Sequence, residues 1–426
     1  MWAAIRTSWP LFAGMIFLMV SNGLLATLLT LRASAMGFGE TVIGLVQSAY
    51  PLGSLLGCFI APMLVVRVGH VRVFAALASI ASTAALIHLV THDPWSWGAM
   101  RLLSGLCFSG LYVVAESWLN GRATNENRGS LLSIYFIIQT GGVAAGQTLL
   151  NLSTPDGILL FIIVSVLISL SLVPILISAD ASPPFVVPEW ISPGELFRLS
   201  PMGLTGAFLN GISQGAIYVA LVLYGQALGL KAGAVGVLVG CATLGGMLFQ
   251  FPLGRLSDII DRRLVITGAA GLAVPVCLLM LPFDSAGRAD LPMLYAGITV
   301  IGGLTLPLYS ICMAHMNDYL KPGQVVAASG TLTLVLGTGM VFGPALGSLA
   351  VETRGPPGLF WFLGGIQALT VATALFRLWH GQPRSSSRGT AVAMGHANTA
   401  CAAPLNPEAP RLPPQPAAAM TPAWPG

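Results

Sequence analysis

Apolar runs of about twenty residues alternate along this chain with short polar breaks, and a helix of that length spans ~30 Å of hydrocarbon. The runs fall at roughly 9–31, 43–65, 73–92, 96–118, 130–150, 157–177, 203–227, 234–254, 264–282, 291–314, 325–350 and 357–378. They are only weakly amphipathic, so run length rather than a 3.6-residue period carries the reading. The pattern predicts an all-α membrane protein of twelve transmembrane helices.

The runs also repeat. Ser21-Asn22-Gly23 matches Ser213-Gln214-Gly215, and Gly37, Gly44 and Gly53 match Gly229, Gly236 and Gly245 at one constant offset. Such self-similarity predicts a duplication. Because each half holds an even number of spans, the halves share one orientation, giving two parallel-repeat six-helix bundles with a site between them. The expected bundles cover residues 1–177 and 203–379. Residues 178–202, polar and Pro-rich, read as a cytoplasmic linker, and 380–426, rich in Pro, Ala and Ser, as a disordered cytoplasmic tail.

Composition narrows the class. Charged residues make up 8% of the chain and hydrophobic ones 55%, with a mean hydropathy of +0.81, which excludes a soluble domain of this size. Basic residues are scattered through short loops without a run, so nucleic acid is not an expected partner. Five cysteines lie in apolar spans and Cys401 in the tail, with no CxxC spacing, so neither a disulfide nor a zinc site is expected. His88 and His92, four apart, have no evident partnering ligand, and no Gly-rich phosphate-binding motif occurs. No metal, no cofactor and no enzymatic activity are expected. With the N-terminus inside, Arg67, Arg72, Arg122, Arg128, Arg255, Arg262, Arg263 and others lie in inner loops, and only Arg32, Lys231, Arg288 and Arg354 in outer ones. The positive-inside rule therefore puts both termini in the cytoplasm.

Candidate chemistry concentrates in residues 97–128. Arg101, Gly105, Phe108, Tyr112 and Glu116 fall within a helical stripe about 80° wide, which must face protein or water. A charge near the bilayer centre costs at least ~2.5 kcal/mol, so an intramembrane Arg or Glu is by default a functional candidate. The alternative is that each reaches toward the headgroups from a helix end. Among uncharged polar groups, Asn22 and Gln214 stand out because the duplication places them in equivalent positions, and Gln139 joins them as a polar residue within a span.

Between spans 8 and 9 the chain reads Gly254-Arg255-Leu256-Ser257-Asp258-Ile259-Ile260-Asp261-Arg262-Arg263. Between spans 2 and 3 it reads Val66-Arg67-Val68-Gly69-His70-Val71-Arg72. Through these loops, and through Arg101 followed four residues later by Gly105, the chain resembles the major facilitator superfamily over about residues 9–378. Glu116-Ser117-Trp118, with Asn127-Arg128-Gly129 and Tyr135, is similar to that superfamily's YcaD-type bacterial branch. Gly339, Gly343-Pro344 and Gly347 look like the glycine pattern of its antiporters. The first loop departs from the family pattern, with Val66 where an acid belongs.

The resemblance implies the major facilitator fold and a cavity surrounded by spans 1, 4, 7 and 10. The substrate or proton pathway is then expected to involve Asn22, Arg101, Tyr112, Glu116, Gln139, Gln214, Tyr218 and Tyr309. It implies a cytoplasmic gate of Arg67, Gly69, Arg72, Arg128, Gly254, Asp258, Arg262 and Arg263. The expected function is secondary transport of a small molecule across a bacterial inner membrane by alternating access, by a monomer in the lipid bilayer. Protons are a candidate coupling ion, through Glu116 or a gate acid such as Asp318. An uncoupled facilitator or exchanger, and a sensor or scaffold that no longer transports, are the alternatives.

Overall fold

The computed structural model describes residues 2–122, 128–177, 190–283, 290–321 and 324–379, with side chains at all of these except 2–7, 122, 128, 129 and 132. Residues 178–189 of the expected linker and the whole expected tail lie outside the described residues. The first half holds α1 (Trp2–Ala35), α2 (Glu40–Val68), α3 (His70–Val90), α4 (Pro94–Arg122), α5 (Arg128–Thr148) and α6 (Leu159–Ile177). After a short α7 (Pro193–Leu199) come α8 (Pro201–Ala227), α9 (Ala232–Ile259), α10 (Arg262–Met280), α11 (Leu291–Thr305), α12 (Leu308–Asn317), α13 (Val325–Arg354) and α14 (Gly358–Trp379). Among the described residues eleven helical segments are long and apolar enough to cross a membrane. The 21-residue α5 stands where the fifth span is predicted.

Two features depart from the pattern of runs. The tenth run is broken: α11 and α12 meet at Leu306-Pro307, because proline has no N–H to donate and its ring crowds the preceding turn. The end of the expected linker carries α7, whose Ser192 side chain accepts from the Glu195 N–H at 3.2 Å and starts a helix opened by Pro193.

The repeat is visible in what equivalent glycines do. Gly37 and Gly229 both turn the chain at positive φ, 81° and 73°, where a side chain would be strained. A Cβ at Gly53 would collide with the Leu102 carbonyl of α4, and one at Gly245 with the Thr299 carbonyl of α11. Both sites seat one helix against the backbone of the next but one. Gly44 and Gly236 make the contacts between halves: Gly44 against Pro344 and Ser348 of α13, Gly236 against Gln147 of α5. The halves thus meet along α2 with α13 and α5 with α9, the same pairing applied twice. The loops after odd-numbered spans define one end of the bundle and those after even-numbered spans the other. Gly44 and Gly236 lie toward the odd-loop end. There the Glu352 carboxylate also accepts from the Thr41 N–H at 2.9 Å, joining the halves again.

Candidate functional site

Beneath that closed end lies a cleft between the halves, made of two adjoining cavities of about 90 and 100 Å³ that share Asn22, Tyr50, Pro51 and Met340. The cavity nearer the odd-loop end is walled by Thr27, Gln47, Arg101 and Gln147 from the first half and by Gly215, Tyr218 and Pro344 from the second. The other is walled by Ser54, Cys58, Ser109 and Tyr112 against Thr333, Leu336 and Gly337.

The five-residue stripe on α4 is buried in full, as a charged stripe in an apolar run must be. From it a polar ladder crosses to its neighbours. The Arg101 guanidinium lies over the Tyr50 ring, 4.4 Å from its centroid. Tyr50 Oη donates to Asn22 Oδ1 at 3.4 Å, and Asn22 Nδ2 donates to Tyr112 Oη at 3.0 Å. One turn further along α4, Glu116 is 0% exposed and accepts from Tyr135 Oη of α5 at 3.1 Å. Arg101 and Glu116 are fifteen residues apart, about 22 Å along the helix axis, and belong to opposite ends of this ladder. Neither reaches the surface from its helix end: Arg101 is 4% exposed.

The other residues expected in the pathway are placed differently. Tyr218 lines the cleft. Tyr309 is buried in α12 and hydrogen-bonds Thr333, itself a wall residue, at 2.8 Å. Gln139 is buried, and among the described residues neither of its amide atoms is hydrogen-bonded. Gln214 is not among the wall residues: its Nε2 donates to Asn210 Oδ1 at 2.7 Å, and Asn210 Nδ2 donates to the Thr305 carbonyl at 2.6 Å. That carbonyl sits at the break between α11 and α12, where the helical ladder is interrupted. Gln367 of α14 reaches the same place, donating to Thr305 Oγ1 and Ser213 Oγ at 3.3 Å.

Gly339 and Gly343 sit against the Phe208 and Ile212 carbonyls of α8, and Gly347 against Ala216, so the glycine pattern of α13 serves helix packing. Sequence reasoning missed Tyr50 and Thr27. A signal existed for Tyr50: Gln47, Tyr50, Ser54 and Cys58 recur at three- and four-residue spacing, a polar face on an otherwise apolar α2.

At the even-loop end, Gly69 takes φ 86° between α2 and α3, with Arg67 and Arg72 exposed on either side. Arg128 opens α5, but its side chain lies outside the described residues. Buried Gly254 accepts from Ser257 Oγ at 2.7 Å. Arg262 Nε lies 3.1 Å from Asp318 Oδ2, with both side chains buried, and Arg262 Nη2 lies 3.8 Å from the half-buried Asp258. Arg263 pairs with Asp261 at 3.0 Å. Burial raises the Asp261 carboxyl, but the hydrogen bonds and charge of Arg263 outweigh it and hold the group below the usual carboxylate range. All these pairs lie within the second half.

The sequence profile described as Major Facilitator Superfamily matches residues 11–200 and 203–419. The chain belongs to that superfamily. It is 27% identical over 378 residues to an uncharacterized MFS-type transporter of Yersinia pestis (strain Pestoides F), covering 87% of this chain and 96% of the relative. It is also 27% identical over 361 residues to the uncharacterized MFS-type transporter YcaD of Salmonella newport (strain SL254), covering 84% and 92%. The branch resemblance read from Glu116-Ser117-Trp118 agrees with these relatives. Among solved structures, the nucleoside transporter NupG superposes with a TM-score of 0.71 at 12% identity, covering 87% of this chain and 98% of that one. The human organic anion transporter MFSD10 (TETRAN) superposes with 0.61 at 16%, covering 87% and 99%. At these identities the likeness establishes the major facilitator fold. The protein is a multi-pass membrane transporter for small molecules and not an enzyme.

Proposed function

We propose that this transporter moves its substrate by alternating access around the cleft, as a monomer in a bacterial inner membrane with both termini in the cytoplasm. The observation that carries the reading is a polar cleft walled by both halves and covered at one end by contacts between them. With the orientation favoured by the basic residues, the covered end is the outer one, and the state is inward-facing. In the opposite state the α2–α13 and α5–α9 contacts would part at the outer end and the halves would close at the inner one. Arg67, Gly69, Arg72, Gly254, Asp258, Arg262 and Arg263 are the gate side of that exchange. In the present state the arginines and acids of the second half pair with one another.

Glu116 is the proton site in this reading. The ladder of Tyr112, Asn22 and Tyr50 connects its surroundings to the cleft, and among the described residues Tyr135 and Tyr112 are titratable groups beside it. In liposomes, Glu116→Gln should abolish accumulation driven by a pH gradient while substrate exchange continues. Unchanged pH dependence in the variant would leave an uncoupled facilitator or exchanger. Absence of any solute movement in the wild type would favour the sensor or scaffold.

A further inference from the structure

Arg101 stands out among the buried charges of the chain. Among the described residues it makes no hydrogen bond and no ion pair, and Nε and Nη1 are buried without a partner. Its one directed contact is the Tyr50 ring face. The titratable groups whose fields reach it are Tyr50 and His88, neither an anion at neutral pH. The Nδ1–H of His88 donates to the Ala84 carbonyl at 2.7 Å. A guanidinium so buried has a ring face beside it but no counter-charge, and a bound anion would supply one.

The rest of the cavity wall adds a second requirement. Gln147 Nε2 donates to the Gly23 carbonyl at 2.9 Å, which fixes the amide orientation and leaves Oε1 as an acceptor. Gln47 Nε2 donates to Thr30 Oγ1 at 3.0 Å. The Thr30 hydroxyl proton is already directed at the Ala26 carbonyl, so Gln47 also keeps its Oε1 free to accept. Both Oε1 atoms, and the Thr27 hydroxyl, are buried without a partner among the described residues. Among the described residues no carboxylate lines this cavity.

We infer that the Arg101 cavity is the binding subsite for a small organic anion that also carries hydroxyl or amino donors, its anionic group on Arg101 and its donors on Gln47 and Gln147. The inference rests on the transporter reading and names the class of its substrate. A carboxylate and a phosphate ester share the chemistry Arg101 recognises, and the test separates them.

The purified full-length protein is titrated with skeleton-matched probes, glycerate and glycerol 3-phosphate against glycerol, and gluconate against glucitol, with the unfolding temperature as readout. An anionic member should stabilise the wild type with an apparent affinity roughly tenfold or more above its neutral counterpart. Arg101→Gln should erase the preference, and Arg101→Lys should retain part of it. Stabilisation by glycerol 3-phosphate alone identifies a phosphate ester, and by glycerate or gluconate alone a carboxylate. Equal response to charged and neutral members, no response to any probe, or a preference that survives in Arg101→Gln overturns the subsite. If Arg101→Gln does not fold, the wild-type pairs and the Lys variant decide. Counterflow of the same probes in liposomes separates the two readings. Arg101-dependent stabilisation without movement keeps the subsite and removes transport, whereas movement indifferent to charge does the reverse.

Discussion

Asn22 and Gln214 occupy equivalent places in the two halves, yet Asn22 ties two tyrosine hydroxyls together at the cleft wall while Gln214 turns to Asn210 inside its own bundle. The same division runs through the molecule. In the first half Arg101, Tyr50, Asn22 and Tyr112 line the cleft. In the second half Asn210, Gln214 and Gln367 gather around the break at Thr305, and the ion pairs of Arg262 and Arg263 lie at the even-loop end. The glycines tell the opposite story, since Gly53 with Gly245 and Gly44 with Gly236 perform matching tasks. After a duplication, helix-to-helix approach constrains backbones in both copies alike, whereas a polar side chain is free to follow whatever its new neighbour offers.

The contrast is sharpest for charge. Asp318→Asn leaves the buried Arg262 without that carboxylate, and breaking a buried pair costs roughly 3–5 kcal/mol. The first half has no such pair at Val66, and Arg67 is exposed. Asp318→Asn should therefore lower the unfolding temperature markedly and speed cysteine labelling from the even-loop side. Asp258→Asn, where the acid is partly exposed and lies farther from Arg262, should do less of both. An equal response from the two acids would remove Asp318 from its place in the latch.

The backbone equivalence can be broken directly. Gly53→Val and Gly245→Val each force a side chain against a neighbouring carbonyl, and overpacking of this kind costs about 1–3 kcal/mol. The two variants should be destabilised alike in denaturation of the purified protein. Tolerance at one site alone would show that the copies have diverged in scaffold as well as in side chains.

A milder pair tests the polar divergence. Asn210→Ala exposes the Thr305 carbonyl to an apolar interior and should cost about 1–3 kcal/mol of stability, with ligand affinity little changed. Asn22→Ala should do the reverse, shifting affinity more than stability, because its partners can turn to water in the cleft. The smallest effect is expected from Arg67→Gln, within about 0.5 kcal/mol as for most surface changes. A large loss of stability there would mean that the first loop is also clasped.

Much of this was legible in the chain. Run length gave the spans and the fold class, the constant offset gave the duplication, and the α4 stripe gave two buried charges on one face. The break at Leu306-Pro307 was invisible to run length because both fragments are apolar, although the proline was there to be weighed. The direction of Gln214, the Arg262 to Asp318 pairing and the Arg101 to Tyr50 stacking were not legible. Each depends on which helix lies opposite, and hydropathy says only that some helix does.

The break also changes how force travels through the tenth span. A continuous helix is a stiff rod and carries a push from one face of the membrane to the other, whereas one interrupted at mid-length is two shorter rods on a joint. The upper rod, α11, is clamped to α9 where Gly245 and Gly302 admit the neighbouring backbone. The lower rod, α12, rests chiefly on α8 and ends beside Asp318. The Arg262 to Asp318 pair thus sits at the far end of the lower rod, and the hydrogen bonds of Asn210 and Gln367 at Thr305 hold the joint between the two rods.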